Sequence, residues 1–409
     1  MTDTTAKPLW RQRNLRIAWS AVFVNDTGDW VLIVALPVFV FIETRSGSAT
    51  AILFMLQAGI AALLGPVGGS LVDRWNLRRV LVWTNLAQAA ALLPLIAVNS
   101  ERVWPAYIVM GLQSALSQLN NPANIALLPR LVESEELSSA NAALSAAASL
   151  ARLGGAALGG LLVSWRGLPP VIVFDGLSFL LVAAAVPFIR ADTSAAQSST
   201  QSVGRIRAGL RSVASNPPLG TILSIQGLAQ IAQGGFVVLF VVFLVESLGD
   251  DGSAVGLIRG TMAIGSLVGS VIVARMAKKF SAESLFSVGL MGMGVVSLLF
   301  WNAPLVTTTI WVYIVLFALS GLPGSALTVG LFTTIQTRSP REVLGRVVGF
   351  LSTSEAIGVA TGSIIAGLLV DYLPLEPILN TQATIYIIAG IAALILTNRS
   401  RATSKPRHT

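Results

Sequence analysis

Twelve stretches of about 20 predominantly apolar residues, the length that spans a bilayer, follow one another along the 409-residue chain. They run approximately over 16–42, 49–72, 79–99, 104–128, 138–163, 168–189, 219–247, 253–274, 283–301, 305–333, 345–370 and 377–397. In lipid, every backbone N–H and C=O must be satisfied within the protein, which leaves only helices or closed barrels. The stretches lack the apolar–polar alternation of barrel strands, so they read as helices. Charged residues make up 11% of the chain, against about a quarter in a soluble domain. The chain is therefore expected to be an all-α polytopic membrane protein with twelve transmembrane helices, and the lipid bilayer is its first partner.

A net charge of +8 raises the question of a nucleic-acid partner, and the placement of the charge answers it. With the N-terminus inside, 22 of the 27 Lys and Arg residues fall in the expected inner loops and tails. Outer loops hold Arg45, Arg102 and Arg166, and two more arginines lie within helices. This is the positive-inside asymmetry of membrane proteins. It puts both termini in the cytoplasm and makes the basic charge a matter of topology, with no nucleic acid implied. The first apolar run is too long for a cleaved leader and lacks a small-residue cleavage site, so it is expected to be a retained helix.

There is no cysteine, and the one histidine, His408, lies in the C-terminal tail. No cofactor and no metal site is expected. Any proton carried across the membrane must use carboxylates. The usual bases and nucleophiles of enzymes are missing from the membrane region, which speaks against a membrane-embedded enzyme such as a lipid acyltransferase. No G-x-x-x-x-G-K-[ST] sequence occurs, so the chain has no ATPase of its own.

Residues 190–218 form the one real linker. Thr193 to Ser202 is rich in Ser, Thr and Gln, and Val203, Ile206, Leu210 and Val213 then share one helical face. That pattern predicts a short amphipathic helix at the inner membrane surface. The linker separates an N-terminal bundle of six helices, 1–189, from a C-terminal bundle of six, 219–397, followed by a tail over 398–409. The two parts share an outline: Gly68-Gly-Ser-Leu-Val-Asp73-Arg74-Trp lies over Gly269-Ser-Val-Ile-Val-Ala274-Arg275-Met without a gap. A charged hairpin between apolar helices, present once per half, marks a duplicated transporter. Asp73 has no acidic counterpart, because Ala274 occupies the matching place.

The hairpin, the six-plus-six organisation and the basic central loop resemble the major facilitator superfamily. Its hairpin signature G-x-L-a-D-R-x-G-R-R-x-x-L is met by Gly69, Leu71, Asp73, Arg74 and Arg78. Asn76 stands where glycine is usual and is expected to serve because asparagine tolerates left-handed backbone. Asn120-Asn-Pro-Ala-Asn through Asn141, Phe174-Asp175-Gly-Leu-Ser-Phe179 and Gly345-Arg346-Val-Val-Gly349 resemble the bacterial macrolide, multidrug and siderophore exporter branch. The chain departs from the drug/proton antiporter pattern in having no arginine around Met110–Gln113, and alanine in place of proline at Ala156. The resemblance implies two pseudo-symmetric bundles in a bacterial inner membrane, a cavity lined by helices 1, 4, 7 and 10, and a chain that works as a monomer.

Charges inside helices point to the transport site, since each costs roughly 2.5–3.5 kcal/mol near the bilayer centre. The candidates for proton coupling or substrate binding are Asp26, Asp29, Arg152, Arg259 and Glu355. Asp26 and Asp29 lie three apart on one side of helix 1, where they can couple protons, bind substrate or pair with Arg152. Glu355 is open to a role as a second proton carrier, a cavity anchor or a structural partner of Arg259, and Asp175 reads as structural. Gln113, Asn120, Asn121, Gln226 and Gln230 are candidate polar cavity residues. Gly69, Asp73, Arg74 and Arg78 form a candidate cytoplasmic gate, with Asp73 facing a helix end of the other half and the arginines pairing with Glu133 and Glu136. The glycines of helices 5 and 11 read either as a sliding seam between halves or as ordinary close packing.

The expected activity is secondary export of small amphipathic compounds, coupled to protons and using alternating access. A dedicated exporter of a siderophore or lipid-like metabolite is the alternative, and a non-transporting membrane sensor a remote one.

Overall fold

The computed structural model describes residues 12–72, 74–133, 136–191, 217–249, 252–339 and 341–403. These form α1 (Arg13–Thr44), α2 (Gly47–Val72), α3 (Leu77–Ala91, extended by a 3-10 turn to Ala97), α4 (Trp104–Leu127), α5 (Leu137–Arg166) and α6 (Leu168–Ala185). Beyond the linker come α7 (Pro217–Ser247), α8 (Ser253–Met276), α9 (Ala282–Asn302), α10, α11 (Arg341–Tyr372) and α12 (Leu375–Thr403). The tenth is built of two pieces, Ile310–Leu319 and Gly321–Arg338, which together make one span. Among the described residues, eleven helices are long and apolar enough to cross a membrane. The exception is α4, which is long enough at 24 residues but interrupted by Gln113, Gln118, Asn120, Asn121 and Asn124. The expected amphipathic helix of the linker lies outside the described residues. The last helix runs on to Thr403, past the expected boundary at 397.

The packing repeats itself. α1 packs on α5 and α6, α2 on α4, and α3 on α4 and α6. Adding six to each label gives the second set: α7 on α11 and α12, α8 on α10, and α9 on α10 and α12. The main contacts between the sets, α2 with α11 and α5 with α8, exchange under the same operation. Small residues make these approaches possible, as helix packing in lipid requires. Gly155 and Gly159 of α5 lie against the backbone of Thr27 and Val31 in α1, and Gly358 and Gly362 of α11 lie against Gly227, Gln230 and Ile231 in α7. Gly160 faces the other way and meets Gly256 of α8, while Gly367 meets Gly47 and Ser48 of α2. The glycines therefore divide, most of them closing each half internally and a few forming the seam between halves.

One end of the molecule is fused and the other is parted. The largest apolar core joins residues of both sets, including Val38 and Phe41 of α1, Phe54 of α2, Phe240 and Leu244 of α7 and Ile258 of α8. The clusters nearer the end that holds Gln12 and Thr403 each draw on one set alone. At the fused end, α1 turns into α2 through Arg45 and Ser46, with Arg45 at φ 51 closing α1 by a bond from its N–H to Phe41 O. Asp371, at the end of α11, accepts hydrogen bonds from Gly47 N (2.6 Å), Ser48 N (3.1 Å) and Ser46 Oγ (3.1 Å). A carboxylate from one half thus satisfies the orphan N–H groups at the start of a helix in the other.

The hairpin between α2 and α3 uses Asn76 differently from the expectation. Its backbone is extended, at φ −68 and ψ 118, and its side chain accepts from Arg79 N at 3.2 Å. Asparagine serves here as the N-cap of α3, and left-handed tolerance plays no part.

Candidate functional site

Between the two sets lies a cavity of about 490 Å³. Its walls come mainly from the second set, through Gln226, Gln230 and Gln233 of α7, Met262 and Ser266 of α8, Met293 of α9, Thr328 of α10 and Tyr386 of α12. The first set contributes Arg152 of α5. The three glutamines fall on one face of α7 because they are spaced by four and three residues. Gln226 and Gln230 both donate through Nε2 to Glu355 Oε1, at 2.9 and 3.0 Å. Gln233 accepts from Tyr386 Oη at 2.8 Å. The second-set acid is therefore held by two amides from a neighbouring helix, and of the roles left open for it, pairing with Arg259 is not the arrangement found.

The first set concentrates its acids around α1. Asp26 lines a second cavity, of about 430 Å³, with Asn121 and Asn124 of α4 and Asn141 and Ser145 of α5. Asp29 accepts from Asn25 Nδ2 at 2.9 Å. Asp175 of α6 is completely buried. Its Oδ1 sits where a side chain on Gly28 would be, and its Oδ2 has no hydrogen-bond partner. Lacking a Cβ, Gly28 lets the α6 carboxyl reach the α1 backbone beside Asp29. Three carboxyl groups thus occupy one region of a single half.

Next to them stand two cations. The guanidinium carbons of Arg152 and Arg259 lie 5.8 and 5.9 Å from the ring centre of Trp30, the residue after Asp29. Such contacts favour a cation over an indole face. Neither arginine forms an ion pair with Asp26, Asp29 or Glu355, so the pairing of helix 1 acids with Arg152 is not the arrangement found. Among the described residues no three His, Asp or Glu side chains converge to hold a metal ion.

Other expected positions are placed away from the cavity. Gln113 donates to Gln88 O (3.0 Å), and Asn120 donates to Thr84 Oγ1 (3.1 Å) and Gln88 Oε1 (3.3 Å). These two amides tie α4 to α3 inside the first half, because residues seven apart share a helix face and that face looks at α3. Asn121, one residue round, faces Asp26 across the smaller cavity. In the hairpin, Gly69 lies in the last turns of α2, and Asp73 lies outside the described residues. Arg78 donates to Ile189 O (2.6 Å), tying α3 to the end of the first half. Glu136 is taken by Gln12 Nε2 at 2.7 Å. For Arg78 and Glu136, the expected pairing of hairpin arginine with acid is thus replaced by backbone and amide partners. Arg74 is exposed in a surface groove with Trp75, Arg79 and Trp83.

Three residues stand out that the sequence reading passed over or underweighted. Trp30 gives no polar signal, and only its place beside Asp29 hinted at it. Asp175 was visible as an embedded acid, but its approach to α1 depends on Gly28. In the sequence Asp371 follows the apolar run 345–370 much as Asp73 follows the run 49–72, and that correspondence was the available clue.

The chain matches the family model described as transmembrane secretion effector over residues 4–407. The MFS-type transporter YvqJ of Bacillus subtilis (strain 168) is 23% identical, with 96% of this chain and 94% of that protein covered. The enterobactin exporter EntS of Escherichia coli O127:H6 is 24% identical, with 93% and 90% covered. Among solved structures, a bacterial homologue of the iron transporter ferroportin in its inward-facing state superposes with a TM-score of 0.74 at 17% identity, covering 93% of this chain and 98% of that one. The POT family transporter PepTSo gives 0.77 at 12% identity, covering 96% and 99%. The chain belongs to the transmembrane secretion effector family of major facilitator transporters.

Proposed function

We propose that this transporter is a proton-coupled exporter of small amphipathic compounds, working as a monomer in the bacterial inner membrane with both termini in the cytoplasm. The observation that carries the reading is the partition of polar groups around the cavity. A mostly apolar chamber, walled chiefly by the second half, offers amides, hydroxyls and methionines to an amphipathic guest, while the embedded carboxyl groups of Asp26, Asp29 and Asp175 belong to the first. Embedded carboxyl groups in one half suit a proton relay that answers to substrate. With the positive-inside assignment, the parted end faces the cytoplasm and the fused end faces outward, a state ready to load from inside. Rocking of one half against the other around the cavity would then release the guest. No ATPase subunit, cofactor or nucleic acid enters this cycle. The export by EntS of enterobactin supports the outward direction and keeps a dedicated siderophore or metabolite exporter as the second reading.

The test is transport in inverted membrane vesicles, with an imposed proton gradient and amphipathic dyes as cargo. Uptake that collapses with a protonophore, and that is lost in Asp29→Asn, is the expected result. Uptake indifferent to the gradient would remove proton coupling from the proposal.

A further inference from the structure

Arg152 and Arg259 come from opposite halves, on α5 and α8, and converge on one indole of α1. Each guanidinium carries five N–H donors and stays charged under all ordinary conditions. Neither donates a side-chain hydrogen bond to any described residue, and Arg152 Nε is buried without a partner. Arg152 also lines the central cavity. The seam packs their two helices closely, with Gly160 against Gly256 and Gly260 against Leu153 O. The embedded acid of the second set, Glu355, already accepts from Gln226 and Gln230, and Asp29 is bonded to Asn25. Two cations without an acid partner inside a membrane protein are each costly. A planar oxyanion relieves both penalties, since carboxylates match the guanidinium fork with paired N–H···O bonds.

We propose that Arg152, Arg259 and Trp30 form an anion-recognising subsite, and that the cargo is an amphipathic compound bearing a carboxylate or a comparable planar oxyanion. This rests on the transport reading and names its substrate class. The apolar part of the guest occupies the Met262 and Met293 side of the cavity, with the anionic group at the arginine pair. Because the arginines belong to different halves, a bound anion bridges the seam that must move during transport.

The probes are naphthoate and its neutral isostere naphthamide, titrated calorimetrically into the purified full-length protein in detergent, with no gradient present. The wild type is expected to bind naphthoate roughly tenfold or more tightly than naphthamide, the scale of one charge-assisted hydrogen bond. Arg152→Gln and Arg259→Gln should each reduce that preference, and the double variant should erase it. Naphthamide affinity should stay constant, which also reports that the variants are folded. Arg152→Lys should restore part of the preference, because charge returns without the fork. Equal binding of the two probes by the wild type would overturn the subsite, as would binding of neither or a preference that survives the double variant. Tighter binding of a naphthyl-trimethylammonium probe would overturn it as well. Since binding is read without transport, gradient-driven dye uptake that persists beside any of these results sinks the anion subsite alone. Loss of gradient dependence with the naphthoate preference intact sinks only the proton coupling.

Discussion

The two six-helix sets share their packing and differ in their polar content. Every major helix pairing of the first set recurs in the second, and Gly155 and Gly159 do for α1 and α5 what Gly358 and Gly362 do for α7 and α11. The chemistry does not follow. Around α1 the first set places Asp26, Asp29 and Asp175, whereas the second holds Glu355 with two glutamines and fills the fused end with an aromatic cluster. In that cluster Phe240, Phe243, Phe300, Trp301 and Phe317 pack with ring centres 5.0 to 5.8 Å apart, and Trp301 Nε1 is satisfied by Gln382 Oε1. Close packing needs only small residues at the right spacing, so it survives duplication. Embedded charge is paid for separately at each site, and here it is concentrated on one side.

That comparison can be broken at several strengths. The largest effect should come from the shared packing. A side chain at Gly159 would run into the backbone of Val31, and one at Gly362 into that of Ile231, which leaves little room for relaxation. Gly159→Val and Gly362→Val should therefore both fail to give monodisperse protein in detergent, overpacking against backbone exceeding the usual ~1–3 kcal/mol. If only one of them failed, the halves would not be packed alike. Next comes the chemical difference. Asp29→Asn should depress gradient-driven dye uptake by about 100-fold, a loss on the scale of a missing proton-transfer group, while Glu355→Gln retains most of it. Vesicle assays giving the reverse order would move coupling to the second half.

A third measurement separates structure from coupling. Glu355→Leu strips Gln226 and Gln230 of their shared acceptor and should lower stability by about 1–3 kcal/mol, read as an earlier thermal unfolding transition. An unchanged transition would mean that the amide clamp contributes nothing. The smallest effect is expected at Gln113→Leu, which removes one bond to Gln88 O. Interhelical hydrogen bonds in membranes average about 0.6 kcal/mol, and dye uptake should be unaltered because this amide faces α3. A clear loss of uptake would return Gln113 to the cavity.

Much of the fold was legible because a membrane helix must be apolar along nearly its whole length. The eighth stretch was read as 253–274 and is found at Ser253–Met276, and the seventh was read as 219–247 and is found at Pro217–Ser247. The site was legible as a set of residue types but only partly as geometry. A glutamine or asparagine in a span announces that it has a partner without saying which helix supplies it, so Gln113 and Asn120 were assigned to the cavity although their face meets Thr84 and Gln88. Gln226 and Gln230 showed the same signal and do line the cavity. Trp30 was silent because an indole in an apolar run needs no explanation, and its meaning appears only when α5 and α8 bring arginines to it.

The carboxylate of Asp371 has a consequence for the membrane as a whole. A carrier that opened at both ends together would act as a pore and dissipate the ion gradients that the membrane stores. At the fused end, one acid gathers three donors from Ser46 and the first residues of α2, and two of them are peptide groups that no substitution other than proline can remove. Asp371 is itself exposed, so water can replace each of those bonds once the corner parts, and the closure is readily reversible. Leak-tightness at this face is therefore shared between the apolar core that joins the halves and this one carboxylate, and a passive leak in Asp371→Ala would measure the carboxylate's part.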